Sequence, residues 1–318
     1  MKTLITGGAG FIGSHIAERL LARGDEVLVI DNYATGRRDN LEPQKGLTVV
    51  EGTIADGTLV KKLFDEFQPD MVVHAAAAYK DPDGWEEDVH TNALGTANVV
   101  RAAKNVGVKR FVYFQTALCY GAQPLEQPIT LSHPIRPESS YAISKTAGEQ
   151  YIQLSGLNYC SFRLANAYGP RNLSGPLPTF YHRLTAGKPC FVMDTRRDFI
   201  YIDDLVDVVM KALDGTGNGV YHISSGSDYS IKELFDATIA TLGITLEKPV
   251  EVKPRLPDDV FTILIDPSRT NKDFAWKTST PLSVGVERAI AYYKHFGVSQ
   301  TFTHLKQVEE PAAAKKAA

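Results

Sequence analysis

Cysteine is scarce in this sequence, long apolar runs are absent, and the positive and negative charges nearly cancel. Cys119, Cys160 and Cys190 lie far apart without a Cys-x-x-Cys pair, which indicates neither a disulfide framework nor a zinc site. No segment reaches the roughly 18 consecutive apolar residues of a membrane helix, and the first residues show no secretory signal pattern. A formal net charge of -3 gives no basic field for a nucleic-acid backbone. We therefore expect a cytoplasmic protein that binds no metal, membrane or nucleic acid.

The composition is that of a globular protein. Of the 318 residues, 43% are hydrophobic and 22% are charged, which is close to the average for folded domains. This length suits one large α/β unit or two smaller units that share a cleft. Residues 301–318 end in a low-complexity stretch without an apolar face, so we predict a tail there.

The first half of the chain alternates short apolar runs with amphipathic segments. Apolar runs at 2–6, 26–30 and 71–74 are separated by amphipathic stretches at 12–23 and 59–66, a pattern that predicts βαβαβ. The runs at 27–30 and 110–114 are apolar on both faces, as parallel strands covered by helices must be. The sequence therefore predicts an α/β fold with a doubly wound parallel sheet, and further helices at 92–105 and 140–154.

Proline-rich, irregular segments interrupt this pattern at 169–189 and 248–267. We interpret them as parts of a smaller, discontinuous α/β domain that covers the substrate. The predicted division assigns 1–165 and about 197–225 to a cofactor-binding domain. It assigns about 166–196 and 226–300 to the substrate domain.

A glycine-rich turn follows the first predicted strand and opens the first predicted helix. In Thr6-Gly7-Gly8-Ala9-Gly10-Phe11-Ile12-Gly13, Gly7 permits the tight turn, Gly10 lets the backbone approach a pyrophosphate, and Gly13 allows close packing of helix and strand. The helix N-terminus would face the phosphate charge. The motif predicts a Rossmann-type dinucleotide site, and a turn without a ligand is the alternative.

Asp31 closes the second predicted strand about twenty residues further on, at the usual place for a carboxylate that binds the adenosine ribose hydroxyls. Such a carboxylate repels a 2′-phosphate, so we expect NAD rather than NADP. Arg37 and Arg38 lie just beyond and leave open a contact with that phosphate.

Tyr141 and Lys145 are four residues apart on a predicted helix, so they share one face. A free tyrosine has a pKa near 10, and a neighbouring ammonium favours the phenolate. We therefore expect Tyr141 to act as a general base, with Lys145 also binding the nicotinamide ribose. The Tyr-x-x-x-Lys spacing alone is a weak signal, because it occurs by chance on many helices.

Further motifs accompany this pair. They are T-G-G-A-G-F-I-G at 6–13, H-A-A-A at 74–77, N-A-L-G-T at 92–96, T-A-L-C-Y-G at 116–121, R-L-A-N-A-Y-G-P-R at 163–171, R-D-F-I-Y-I-D-D at 197–204 and D-P-S-R at 266–269. With them, the sequence over about residues 1–295 resembles the extended short-chain dehydrogenase/reductase family, specifically the NAD-dependent sugar-nucleotide epimerases and dehydratases.

The resemblance implies roles for individual residues. It makes Thr116 the third catalytic residue beside Tyr141 and Lys145, with its hydroxyl on the sugar oxygen that is oxidised. It implies that the cofactor contacts, besides the glycines, Asp31 and the catalytic pair, are Phe11, Ile12, Asn32, Thr53, Ile54, Ala75, Ala76 and Asn92. It implies that the nucleotide sugar meets Thr116, Asn166, Arg197, Arg255, Asp258 and Thr262. Thr53 departs from the aspartate common at that place, and the resemblance also implies a homodimer built from the helices at 92–105 and 140–154.

The expected reaction follows from a difference within the family. The dehydratases carry Asp-Glu directly after the catalytic threonine, whereas this chain has Ala117 and Leu118. We therefore expect a 4-epimerase that works through a transient 4-keto sugar. In the family, the residue at the position of Thr262 limits the space beside sugar C2, and a small residue there admits an acetamido group. We therefore expect a UDP-N-acetylhexosamine or UDP-hexuronic acid as substrate. The resemblance also implies a role in surface polysaccharide synthesis.

The sequence is also compatible with other functions. A dehydratase, reductase or decarboxylase of the same family, or a non-enzymatic NAD sensor on the same fold, is the alternative function. His74 is interpreted as a packing residue, and the acidic segment 81–87 as a solvated loop.

Overall fold

The computed structural model describes residues 1–78, 81–255, 260–298 and 300–302. Its centre is a parallel seven-stranded sheet with the strand order β11-β6-β5-β4-β1-β2-β3. These strands are β1 (Lys2–Thr6), β2 (Glu26–Asp31), β3 (Leu47–Glu51), β4 (Met71–His74), β5 (Arg110–Thr116), β6 (Tyr159–Leu164) and β11 (Gly219–Ile223). The predicted doubly wound parallel sheet of Rossmann type is confirmed.

Helices cover both faces of the sheet and build the smaller part of the molecule. They are α1 (Phe11–Ala22), α2 (Gly57–Phe67), α3 (Trp85–Glu87), α4 (Thr96–Asn105), α5 (Ser140–Ser155), α6 (Pro176–Thr185), α7 (Ile202–Leu213), α8 (Ile231–Leu242), α9 (Ser268–Phe274) and α10 (Leu282–Phe296). Short 3₁₀ turns span Arg38–Asn40 and Ala117–Tyr120. In the described part of the chain, every helix is too short or too polar to cross a membrane.

In the ranges that the structure describes, the smaller part contains three pairs of short strands and a group of packed helices. The strands are β7 (Asn166–Tyr168), β8 (Phe191–Met193), β9 (Arg196–Arg197), β10 (Phe199–Tyr201), β12 (Tyr229–Ser230) and β13 (Glu251–Lys253), paired as β7 with β10, β8 with β13 and β9 with β12. Helices α6, α8 and α10 pack on one another. One apolar cluster extends from Ile5 in the sheet to Phe235 on α8, so the two parts of the molecule share a core.

The carboxyl ends of the central strands meet at one edge of the sheet, because all the strands run the same way. Thr6 lies beside Ile30 on one side and His74 on the other, and Thr116 ends β5 opposite Leu164. In open α/β sheets, ligands bind beyond this edge. The sheet topology therefore brings the glycine turn and the segment after Thr116 to the same side of the molecule.

Two segments differ from the sequence-based expectation. The helix predicted at 92–105 begins earlier, at Trp85, and includes a π-helical segment (Asp88–Gly95), which a 3.6-residue periodicity does not predict. Phe302 lies in the predicted tail, yet its backbone pairs with the chain at Leu173 and Gly175. Residues 303–318 lie outside the described part of the chain.

Candidate active site

A cavity of about 1110 Å³ opens at the carboxyl edge of the sheet. Ligand pockets are usually about 300–1,000 Å³, so this cavity has room for more than one small molecule. Most of the residues predicted to bind ligands line it. These are Gly7, Gly10, Phe11, Ile12, Gly13, Asp31, Asn32, Thr53, Ile54, Ala75, Ala76, Thr116, Tyr141, Asn166 and Arg197.

The glycine turn is packed too tightly for side chains at two positions. Gly7 has a φ of +67°, and a Cβ there would lie 2.7 Å from the Cα of Ala76. A Cβ on Gly13 would lie 2.2 Å from the carbonyl oxygen of Gly7. The turn therefore holds α1 directly against the end of β1, which aims the start of the helix at the cavity.

The start of α1 suits a phosphate group. Gly10 is the N-cap and has no side chain to accept hydrogen bonds from the first backbone amides of the helix. Such amides, together with the positive end of the helix dipole, form a site for an anion. Phe11 and Ile12 line the cavity at this point, so the turn fits the pyrophosphate of a dinucleotide.

Asp31 is held in place by the backbone. Its carboxylate accepts hydrogen bonds from the amides of Ala9 and Tyr33, each at 2.8 Å, and burial raises its pKa. Arg37 and Arg38 each make an ion pair, with Asp39 and Glu51 respectively. The carboxylate is thus oriented for ribose hydroxyls, while both nearby arginines already have acidic partners.

Asn92, predicted to contact the cofactor, does not line the cavity. Its side-chain oxygen accepts from the amide of Ala78 at 2.9 Å, and its side-chain nitrogen donates to Ser144 at 3.0 Å. The π-helical segment directs this amide inward, so Asn92 ties the loop after β4 to α5. Its contact with the cofactor stays a prediction.

Tyr141 and Lys145 share one face of α5, as the spacing predicts, but their surroundings differ. Tyr141 lies in the first turn, after the N-cap Ser139, and lines the cavity. Lys145 is one turn further in and only 3% exposed. Its ammonium lies 4.1 Å from the centre of the Tyr113 ring.

The pKa values of this pair do not follow the sequence-based expectation. Burial, together with the negative charge of Asp88, raises the pKa of Tyr141 to about 12. Burial lowers the pKa of Lys145 to about 7, so its side-chain amine is only partly protonated at neutral pH. The expected lowering of the tyrosine pKa by Lys145 is therefore not found in the protein alone. The positive end of the α5 dipole is the protein feature that favours the phenolate.

Asp88 gives a test of this electrostatic arrangement. Its carboxylate is fully buried in the π-helical segment and accepts a hydrogen bond from Asn92 at 3.2 Å. Because its charge raises the pKa of Tyr141, we expect Asp88→Asn to move the acid limb of the kcat pH profile toward lower pH. Asp65→Asn, an exposed change on α2, should leave the profile in place. A shift toward higher pH in Asp88→Asn would contradict the assignment.

Thr116 ends β5 at the wall of the cavity. Its backbone amide donates to the side chain of Gln115 at 2.8 Å, and its hydroxyl oxygen accepts from the amide of Leu118 at 3.1 Å. Ala117 and Leu118 also line the cavity. The two positions that carry an acid and a base in dehydratases thus present apolar side chains.

Among the described residues, three further carboxylates that the sequence did not indicate line the cavity. Asp81 and Glu87 come from the acidic segment interpreted as a solvated loop, and Glu138 precedes α5. Glu87 accepts from the Thr91 hydroxyl at 2.5 Å, and Glu138 accepts from the amide of Ala122 at 2.9 Å. The acidic segment is exposed to solvent and also forms part of the cavity mouth.

The predicted substrate residues are only partly brought together. Asn166 and Arg197 line the cavity, and the Arg197 guanidinium donates to the carbonyl of Val260 at 3.0 Å. Arg255 and Thr262 do not line it. The Thr262 hydroxyl donates to Asp228 at 2.6 Å. Asp258 lies outside the described residues.

The individual residues on the rest of the substrate side of the cavity were not predicted from the sequence, although about 166–196 and 226–300 were assigned to the substrate domain. They are mostly apolar or aromatic, with one arginine and one residue of the predicted tail. The additional lining residues include Leu177, Phe180, Arg183, Cys190, Phe191, Met193, Val260, Ile263 and Phe302. The sequence signal for this wall was the irregular, proline-rich composition of 169–189 and 248–267.

His74 has a structural position. It is fully buried, and its two ring nitrogens lie 2.6 Å from the Thr6 hydroxyl and 2.8 Å from the Thr96 hydroxyl. Burial holds its pKa well below the ordinary value. It therefore links β1, β4 and α4 beneath the cavity. Within the described ranges, no group of three or more His, Cys, Asp or Glu residues could hold a metal ion.

Comparison with known proteins places this fold and cavity in a family. Residues 3–224 match the model of the NAD dependent epimerase/dehydratase family, which is more than half of the chain. The chain belongs to this family. The UDP-glucose 4-epimerase of Mycolicibacterium smegmatis is 31% identical over 314 residues, covering 93% of this chain and 99% of that protein.

Two solved structures from Bordetella bronchiseptica are also similar. The enzyme WbmH, crystallised with NAD⁺, is 54% identical with a TM-score of 0.90, over 93% of this chain and 99% of that one. The enzyme WbmG, crystallised with NAD and UDP, is 47% identical with a TM-score of 0.89, over 95% and 98% of the two chains. The resemblance to this family and the expected class, a NAD-dependent isomerase, are confirmed.

Proposed function

We propose that this chain is a UDP-sugar 4-epimerase in which Thr116, Tyr141 and Lys145 carry out the chemistry with NAD. The observation that carries the proposal is the shared cavity. The glycine turn, Thr116 and Tyr141 line one space, so a dinucleotide on the turn and a sugar beside the hydroxyls would meet in it. Ala117 and Leu118 leave the neighbouring positions without the groups that elimination needs.

The chain's own residues supply orientation and proton transfer. NAD, when bound, would supply the hydride acceptor for the hydrogen on sugar C4. The Thr116 hydroxyl would donate a hydrogen bond to the oxygen on sugar C4, and Tyr141 would remove the proton of the sugar's own C4 hydroxyl. Lys145, buried one turn behind the tyrosine, would hold the ribose and so fix cofactor and base in one frame. Return of the hydride to the opposite face of sugar C4, with return of the proton to the C4 oxygen, would complete the inversion.

The charge of Arg197 and the small side chain at position 262 support the proposed substrate. Arg197 lies on the cavity wall with its guanidinium anchored by backbone carbonyls, and a planar guanidinium suits a diphosphate. The UDP bound to the related WbmG supports uridine diphosphate as the carrier. Thr262 does not line the cavity, and its hydroxyl donates to Asp228. The position that the family resemblance places beside sugar C2 therefore presents no bulky side chain to the cavity, and we propose a UDP-N-acetylhexosamine or a UDP-hexuronic acid as substrate.

The test is direct. The protein is incubated with NAD and separately with UDP-N-acetylglucosamine, UDP-glucuronic acid and UDP-glucose, and the C4 epimers are resolved by chromatography. We expect interconversion of the first or second sugar, with the total amounts of NAD and NADH unchanged. Turnover of UDP-glucose alone would contradict the proposed substrate class, and no turnover of any sugar would favour the NAD sensor.

Elimination is the second candidate, because Glu87 and Glu138 bring carboxylates to the cavity wall. A dehydratase of this family would use such groups to remove water from the sugar. The same incubation separates the two reactions, since elimination lowers the sugar mass by one water and inversion leaves it unchanged. Both carboxylates already accept hydrogen bonds from the protein, which favours inversion.

We also propose that two copies of the chain pair through α5 and the adjoining π-helical segment. Ile143, Tyr151 and Leu154 are exposed on α5 by 54%, 47% and 81%. Val89 and Leu94 are exposed nearby by 54% and 45%, and α5 packs against the π-helical segment. A face with this many uncovered apolar side chains is typical of an interface, and a second copy presents the same face.

Leu154→Glu should therefore convert a dimer into a monomer, because the charge would be buried within this contact. Light scattering at micromolar concentration measures the mass. Phe296→Glu is the matched control, since Phe296 is 50% exposed on α10, outside this face. A monomeric wild-type protein would contradict the proposed dimer.

A further inference from the structure

Residues after α10 return to the substrate side of the cavity. The carbonyl of Val298 accepts from a ring nitrogen of His182 on α6 at 2.9 Å. Further on, the Phe302 amide donates to Leu173 at 2.8 Å, and its carbonyl accepts from Gly175 at 2.9 Å. The segment is thus fixed to the protein at both of its described ends.

The loop that receives Phe302 belongs to the cavity wall. Ser174 and Gly175 line the cavity, and Gly175 is the N-cap of α6 with a φ of +87°. The Tyr293 hydroxyl on α10 donates to the carbonyl of Asn172 at 2.7 Å. The shape of this loop therefore depends on α10 and on the segment that follows it.

Phe302 itself lines the cavity and is half-buried. Thr116 and Tyr141 mark the place of the reacting sugar, and Arg197 offers a site for the diphosphate. Phe302 pairs with the loop at Leu173 and Gly175 that leads into α6, a loop that carries neither the catalytic groups nor Arg197. An aromatic ring there offers apolar surface to a base or a ribose.

We propose that Phe302 is a substrate-positioning residue that forms part of the pocket for the nucleoside of the nucleotide sugar. This rests on the proposed function, since it requires a nucleotide sugar in the cavity. The backbone pairing fixes the position of Phe302 in the cavity wall. Phe302 therefore affects the KM of the nucleotide sugar, whereas the proton-transfer groups determine kcat.

Phe302→Ala removes the ring and keeps both backbone hydrogen bonds. We expect the Kd of UDP, measured by calorimetry with the full-length holoenzyme, to rise about tenfold, the effect of removing roughly one buried aromatic contact. The KM of the nucleotide sugar should rise equally, while kcat, bound NAD and the melting temperature stay unchanged. Phe302→Leu should recover most of the affinity, and Phe296→Ala on the exposed end of α10 should have no effect.

The outcomes separate this inference from the proposed function. Unchanged UDP affinity in Phe302→Ala would overturn it. A higher KM for the nucleotide sugar without weaker UDP binding would also overturn it, since the ring would then contact the sugar. A fall in kcat, or a lower melting temperature that Phe302→Leu does not restore, would indicate a structural role. If the wild-type protein binds no UDP, the proposed function itself fails.

Discussion

Tyr141→Phe is expected to lower kcat by about 10²–10⁴, the range that a positioned acid–base group supplies. The variant keeps the ring that lines the cavity and loses only the hydroxyl that takes the sugar proton. Bound NAD should be unchanged, because the glycine turn and Asp31 are untouched. The measurement pairs single-substrate kinetics with the NAD content of the purified protein.

Tyr151→Phe is the control, since Tyr151 is 47% exposed on the same helix and does not line the cavity. Substantial retained activity in Tyr141→Phe would overturn the assignment of the base. Loss of NAD together with activity would show instead that the hydroxyl holds the cofactor. For a non-enzymatic NAD sensor, the substitution would change neither property.

The features predicted correctly from the sequence depend on residues close together in the chain. Gly7, Gly10 and Gly13 lie in one turn, and Tyr141 and Lys145 lie one helical turn apart. Hydrophobic periodicity gives the strands and helices, and parallel strand order brings their ends together. The sheet, and the residues of the glycine turn that line the cavity, could therefore be predicted with residue numbers.

The features missed depend on long-range contacts or on backbone detail. Phe302 reaches the cavity by pairing with Leu173, which is more than a hundred residues away, and no periodicity indicates such a contact. The π-helical segment turns Asn92 inward, although the sequence looks like an ordinary helix there. The pKa of Tyr141 is raised by burial and by the charge of Asp88. The spacing of Tyr141 and Lys145 in the sequence indicates neither cause.

Lys145→Met is expected to abolish activity and at the same time to stabilise the fold at neutral pH. Burial lowers the pKa of Lys145 from 10.5 to about 7, a difference that corresponds to roughly 5 kcal/mol. Methionine has similar length and no charge, so we expect Lys145→Met to raise the free energy of unfolding by up to about 4 kcal/mol at pH 7, where the lysine is partly neutral in the folded protein.

The pH dependence of this gain identifies its cause. Because the folded pKa of Lys145 lies below its unfolded value, the unfolded chain binds more protons between pH 7 and 10.5, and wild-type stability rises with pH in that window. The advantage of Lys145→Met should therefore be largest at or below pH 7 and should shrink steadily as the pH rises. Denaturant unfolding of nucleotide-free protein between pH 6 and 9 measures it, with the exposed Lys62→Met on α2 as control. A gain that does not change with pH would mean that packing, and not the buried charge, causes the difference in the free energy of unfolding.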